Sequence, residues 1–237
     1  MKTQLALATV LASLFAAGSA HALIIDDFSV TQSNIYLTGP ATTSSMGNMQ
    51  LGPQENIVGG ARQTDVTLYE GGPSADVNVR VIAGLLDIND SVSAATELKL
   101  TWNGNGLGLG NLNMYTGGAT GIYLAFPNAM DHALSLIFDI TDYETATTAS
   151  SFILFPAGAQ GADFFFAFNN FSNIGALLSA DAISMTLSST TPGLDANLDL
   201  IETRDSPNDV PEPASLSLLG LGLVGMTAMR RRIKNKS

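Results

Sequence analysis

Period-two alternation of apolar and polar residues, punctuated by Gly, Pro and Asn clusters, is the feature that most constrains this chain. Over residues 97–102, Leu98, Leu100 and Trp102 fall on one side and Glu97, Lys99 and Thr101 on the other. Residues 182–188 repeat the pattern, with Ile183, Met185 and Leu187 opposite Ser184, Thr186 and Ser188. A strand turns successive side chains to opposite faces, so such runs read as half-buried strands. Further candidates are residues 23–30, 65–70, 77–82, 121–126, 133–140, 151–155, 163–168 and 197–202. Gly71-Gly72-Pro73, Asn103-Gly104 and Pro192-Gly193 supply turn chemistry between them. No long stretch carries the 3.6-residue period of an amphipathic helix. The pattern predicts an all-β domain, a single antiparallel β-sandwich of jelly-roll type, with an immunoglobulin-like sandwich as the alternative.

Composition narrows the chemistry. The chain has no cysteine, which excludes a disulfide framework, a thiolate metal site and a cysteine nucleophile. Residues 23–209 hold four basic residues, Arg62, Arg80, Lys99 and Arg204, against twenty acidic ones, a net charge of −16. Such a surface favours solubility and divalent cations and repels polyanions, so nucleic acid is excluded as a partner.

The two ends are built differently from the middle. Lys2 is followed by an apolar, Ala-rich run over residues 5–17, and Ala20-His21-Ala22 places small residues at both positions a signal peptidase reads. Residues 1–22 are therefore expected to be a signal peptide, with the mature chain starting at Leu23. At the other end, a polar linker over 204–209 precedes Val210-Pro211-Glu212-Pro213-Ala214. Prolines on both sides of Glu212 fix φ and remove backbone donors, so this motif should be extended and accessible to another protein. Residues 214–229 form an apolar segment that at about 1.5 Å per residue reaches roughly 24 Å, a marginal membrane span. Gly220, Gly222 and Gly225 give it a small-residue face for helix packing. The basic residues Arg230, Arg231, Arg232, Lys234 and Lys236 would hold the tail in the cytoplasm.

The ordered triplet of Val210-Pro211-Glu212-Pro213-Ala214, a Gly/Leu-rich span and Arg230-Arg231-Arg232 resembles the PEP-CTERM sorting signal of Gram-negative bacteria. The resemblance covers residues 210–237 and implies recognition in the inner membrane by an exosortase, removal of the tail near Pro-Glu-Pro, and a final place at the cell surface or in an extracellular polysaccharide matrix. Three stretches, Ile24-Ile25-Asp26-Asp27-Phe28-Ser29, Val58-Gly59-Gly60-Ala61-Arg62-Gln63-Thr64-Asp65 and Leu194-Asp195-Ala196-Asn197-Leu198-Asp199, are similar to a recurring ectodomain pattern of PEP-CTERM proteins. That pattern is similar in turn to jelly-roll carbohydrate-binding modules, in which the first and last strands pair near a structural calcium. The chain departs from it by inserting Gln63-Thr64 between Arg62 and Asp65.

Asp26 and Asp27 are neighbours, and in a strand only one can point to each face. A calcium site would need a second strand, and Asp27 with Asp195 and Asp199 is the candidate set if the terminal strands meet. The competing reading is that these are solvated acidic positions. His132 beside Asp131 is the one histidine left after signal removal, which excludes a multi-histidine zinc site, and no Gly-x-Ser-x-Gly elbow occurs. The run Gly104-Asn105-Gly106-Leu107-Gly108-Leu109-Gly110 has neither nucleotide-loop spacing and reads as a flexible loop. Trp102 and the Phe164-Phe165-Phe166, Phe168, Phe171 group read as core, and Arg62 and Arg80 as partners of carboxylates. The resulting expectation is an exported, exosortase-processed protein with a 23–203 ectodomain that carries no catalytic residues and associates with extracellular polysaccharide. A glycan hydrolase and a passive adhesive subunit are the alternatives.

Overall fold

A computed structural model of the chain describes residues 22–40, 56–159, 164–189 and 191–205. The signal-cleavage residue Ala20, the sorting residues Val210, Pro211, Glu212, Pro213, Ala214, Arg230, Arg231 and Arg232, and the apolar span over 214–229 lie outside them. Among the described residues, no helix is long and apolar enough to cross a membrane.

Thirteen strands are described, β1 (Leu23–Asp26), β2 (Gln32–Thr38), β3 (Gln63–Gly71), β4 (Asp76–Ile82), β5 (Leu85–Asp90), β6 (Ala94–Trp102), β7 (Gly121–Ala125), β8 (Leu134–Asp142), β9 (Thr147–Phe155), β10 (Phe165–Ala167), β11 (Ala182–Ser188), β12 (Asp195–Leu198) and β13 (Leu200–Arg204). They are joined by loops and 3-10 turns, and every pairing is antiparallel. One sheet has the order β3-β6-β11-β8-β9. Two four-stranded sheets, β12-β5-β4-β2 and β1-β13-β7-β10, meet where β12 runs into β13 across the single residue Asp199.

Alternation decides which side of each strand is buried. In β6 it buries Leu98, Leu100 and Trp102, and in β11 Ile183, Met185 and Leu187, as their spacing predicts. One contiguous core includes these residues, Val77, Val79 and Val81 of β4, and Ile201 of β13. Aromatic rings lock the layers together: Phe138 of β8 meets Phe166 of β10 at 4.9 Å between centroids, and Phe155 of β9 meets Phe164 at 4.5 Å. Phe164, Phe166, Phe168 and Phe171 are thus core, whereas Phe165, turned to the other face of β10, is only half-buried.

Several boundaries differ from expectation. The run 23–30 ends as a strand at Asp26, because Phe28 takes φ +51° and turns the chain away. The run 163–168 keeps only Phe165–Ala167. The run 197–202 divides at Asp199 between two sheets. The glycine-rich loop over 104–110 is tied down by backbone bonds, Gly108 N–H to Asn103 O at 2.9 Å and Leu109 N–H to Asp181 O at 2.9 Å. It also lies against Gly59, which sits at φ +66° and where a Cβ would come within 2.9 Å of the Gly104 nitrogen.

Candidate binding face

The terminal strands pair, with Leu23 opposite Thr203 and Ile24 opposite Glu202. Their meeting point is organised around a buried ion pair. Asp26 faces inward at 0% exposure, and its Oδ2 accepts from Arg62 Nη1 at 2.7 Å and from Trp102 Nε1 at 2.9 Å. Its Oδ1 accepts from the Phe28 N–H at 2.9 Å, which holds the left-handed turn after β1. Arg62 spends its other donors on Gln32 Oε1 and the Val30 carbonyl, both at 3.2 Å, and its guanidinium lies 5.1 Å from the Phe28 ring centroid. Thr64 Oγ1 donates to the same Gln32 Oε1 at 2.9 Å. Burial raises the Asp26 carboxyl above its ordinary value, while the Arg62 charge and the Trp102 and Phe28 donors oppose the rise. Gln63-Thr64, the insertion in the sequence pattern, supplies Thr64 to this cluster. The expected pairing of Arg62 with a carboxylate is met here, and Arg80 meets Asp87 at 2.9 Å.

The candidate calcium residues are spread out. Asp27 lies beyond β1, where its Oδ1 accepts from the Ser29 N–H at 3.0 Å. Asp199 is exposed at the break between β12 and β13, and Asp195 begins β12 opposite Asn89. Among the described residues, no three Asp, Glu or His side chains stand close enough to share a metal ion. His132 lies in the loop before β8 with Nδ1 3.0 Å from Asp131 Oδ2, yet that nitrogen makes no hydrogen bond of acceptable geometry.

A surface that the sequence reading did not assemble is the outer face of the five-stranded sheet. Register places fifteen outward side chains in three rows. Thr67, Glu97, Ser188, Ser135 and Leu154 form the first, and Asp65, Lys99, Thr186, Ile137 and Phe152 the second. Gln63, Thr101, Ser184, Asp139 and Ser150 form the third, with Ser184 covered by its neighbours at 9% exposure. The central strand β11 contributes only Ser and Thr, so the floor is low and hydroxylated. The rims are taller, with Tyr69 on β3 at 42% exposure and Phe152 and Leu154 on β9 at 60% and 61%. Four inter-strand steps make this trough about 19 Å wide.

Local bonds fix its polar groups. Gln63 Nε2 donates to Asp65 Oδ2 at 2.9 Å, and Ser150 Oγ to Asp139 Oδ1 at 2.5 Å. Tyr69 Oη donates to the Ser189 carbonyl, which holds the ring at the rim over a cavity of about 310 Å³ lined by Thr67, Tyr69, Glu97 and Ser188. Burial and the charges of Glu97, Glu70 and Asp90 push the Tyr69 phenol up, so it remains a protonated donor. The alternation in β6 and β11 already named Lys99, Thr101, Ser184, Thr186 and Ser188 as outward residues; what it lacked was the strand order that sets them side by side.

A strongly raised carboxyl lies elsewhere, on β5. Asp90 is pushed up to about 6 by burial, with Asp195 and Asp76 adding to the rise. It points between the layers at 6% exposure and takes Thr96 Oγ1 on Oδ2 at 2.5 Å, out of reach of any ligand on the outer faces.

Residues 209–232 match the PEP-CTERM protein-sorting motif. No curated protein matches the chain. Among solved structures it is similar to CBM28, a carbohydrate-binding module specific for non-crystalline cellulose, at 12% identity and TM-score 0.35 over 70% of this chain and 96% of that one. It is similar also to the family 11 carbohydrate-binding module of the Clostridium thermocellum cellulase Lic26A-Cel5E, at 8% identity and TM-score 0.36 over 78% and 95%. A third likeness is to PfGH50B, at 14% identity and TM-score 0.34 over 55% of this chain, which spans about a fifth (22%) of that protein's length.

Proposed function

From the premise that residues 209–232 are a PEP-CTERM sorting motif, we propose that this is an exported exosortase substrate whose β-sandwich binds polysaccharide without chemically altering it. The observation that carries the binding half is the trough on the five-stranded sheet. Sugars present hydroxyls around an apolar ring face, and three rows of hydroxyl, carboxylate and amide groups between aromatic rims answer both features. The net charge of −16 over residues 23–209 favours a neutral polysaccharide over a polyanion.

Sorting makes its own prediction. Protein from cells with their exosortase has an intact mass that begins at Leu23 and ends near Pro213, whereas protein from cells lacking the enzyme keeps its tail and remains with the inner membrane. A tail that stays intact, or is trimmed equally in both strains, removes the exosortase from the account. For binding, the processed protein is retarded on a column of its host's extracellular polysaccharide. Tyr69→Ala and Phe152→Ala each lower the affinity about five- to tenfold through loss of ring contact. Free passage of the wild-type protein through that column disposes of the polysaccharide reading.

A further inference from the structure

We infer that the opposite face of the sandwich holds a second saccharide subsite, so that one molecule bridges two polysaccharide chains; this rests on the reading above. The outer face of β12-β5-β4-β2 sets Tyr36, Asn78, Asn89 and Asp195 in one cross-strand row. Tyr36 is 56% exposed, and its ring stands three inter-strand steps, about 14 Å, from Asp195. The adjoining row is a hydrogen-bonded relay. Arg80 Nε donates to Asp87 Oδ2 at 2.9 Å, Asn197 Nδ2 to Asp87 Oδ1 at 2.8 Å, and Asn128 Nδ2 to Asn197 Oδ1 at 3.1 Å.

The relay ends in a cleft of about 340 Å³ whose polar lining is Asp87, Asn89, Asn128, Asp131, Asp195 and Asn197. Amides supply donor and acceptor side by side, which is what a sugar hydroxyl needs, and the relay holds three of these side chains in place before a ligand arrives. An aromatic ring at one end of a row and a cleft of three amides and three carboxylates at the other suits an extended polyhydroxylated chain laid across the strands. The two sheets of a sandwich stand about 10 Å apart and face away from each other, so separate chains occupy the two faces. Bridging then converts a monomeric module into a cross-link of the matrix, and gains avidity without new contacts.

The test uses the processed full protein, sized as a monomer beforehand, titrated into its host's purified extracellular polysaccharide while light scattering and bound stoichiometry are followed. Wild type produces a scattering network and fills two classes of site. The double variant Tyr36→Ala/Asn89→Ala, altered only at exposed side chains, unfolds at the wild-type temperature and still binds. It fills one class of site and forms no network, and its apparent affinity falls about tenfold or more through lost avidity. The trough variant Tyr69→Ala/Phe152→Ala also fails to form a network, yet retains the other class of site. A Tyr36→Ala/Asn89→Ala protein that networks like wild type overturns the second subsite and leaves the trough standing. Failure of wild type to bind at all fells the polysaccharide reading itself.

Discussion

Replacing Arg62 with methionine lowers the unfolding free energy by about 3–5 kcal/mol, the usual consequence of removing one member of a fully buried ion pair. Arg62 and Asp26 are both at 0% side-chain exposure, and methionine leaves Asp26 with the Trp102 and Phe28 donors but no opposite charge. Gln32 Oε1 and the Val30 carbonyl also lose the donors they have from Arg62, and among the described residues Gln32 Nε2 already has no partner. For a domain of this size the loss corresponds to a Tm drop of roughly 6–20 °C. Adding Asp26→Asn to Arg62→Met recovers part of the deficit, since a neutral amide is far less costly to bury unpaired than a carboxylate. Urea unfolding at pH 7 measures both variants, and a single-variant loss below about 1 kcal/mol would show that the cluster does not hold the first strand. The strand it holds begins at Leu23, where the signal peptide is expected to end, so the lock joins the new N-terminus to β6 through Trp102.

Asp90→Asn has the opposite sign and raises stability at pH 7. Asp90 Oδ1 is buried with no hydrogen-bond partner among the described residues, and Thr96 alone serves Oδ2. Because the folded protein holds this carboxyl's proton up to about pH 6 while the unfolded chain releases it near 3.8, the folded state binds more protons between those values. Stability contributed by this group is therefore complete below about pH 4 and is lost as pH rises through 6. At about 1.4 kcal/mol per pH unit, the cost above pH 6 is on the order of 3 kcal/mol. Asparagine removes this ionisation cost, and after its own imperfect hydrogen bonding the expected gain is about 1–2 kcal/mol at pH 7. Asp26, Asp195 and Glu202, each raised by desolvation, add slopes of the same sign, and Asp142, held down by Thr145 and Glu144 donors, adds one of the other. Chemical denaturation from pH 4 to 8 checks the claim: wild type loses stability through pH 6 and Asp90→Asn shows a shallower decline. Parallel curves would place the titration elsewhere.

How far the fold could be read without coordinates differs from strand to strand, for physical reasons. β11 was legible end to end, because three large apolar residues alternate with three polar ones without a break from Ile183 to Ser188. β5 was not, because its hairpin with β4 turns on Ala83 and Gly84 at φ +53° and +82°, and alanine in the left-handed region gives no local turn signal where Asn-Gly would have. β2 was hidden by Gln32-Ser33-Asn34, a polar opening whose glutamine is buried only because Arg62 and Thr64 come from residues thirty places on to meet it.

The sites divide along the same line. Alternation told that Asp26 and Asp27 point to opposite faces, but which of them is buried, and against what charge, depends on the pairing of β1 with β13 and on the return of Arg62. Composition and the two chain ends by themselves determined a cysteine-free, acidic, strand-forming chain with a sorting motif at its C-terminus, because export signals and binary patterns are local properties of a few consecutive residues. Only the tertiary structure decided which outward side chains share a surface. Strand order and register bring Tyr69, Lys99, Thr186 and Phe152 onto one sheet face from positions up to 117 residues apart, and no local pattern records a distance closed by folding.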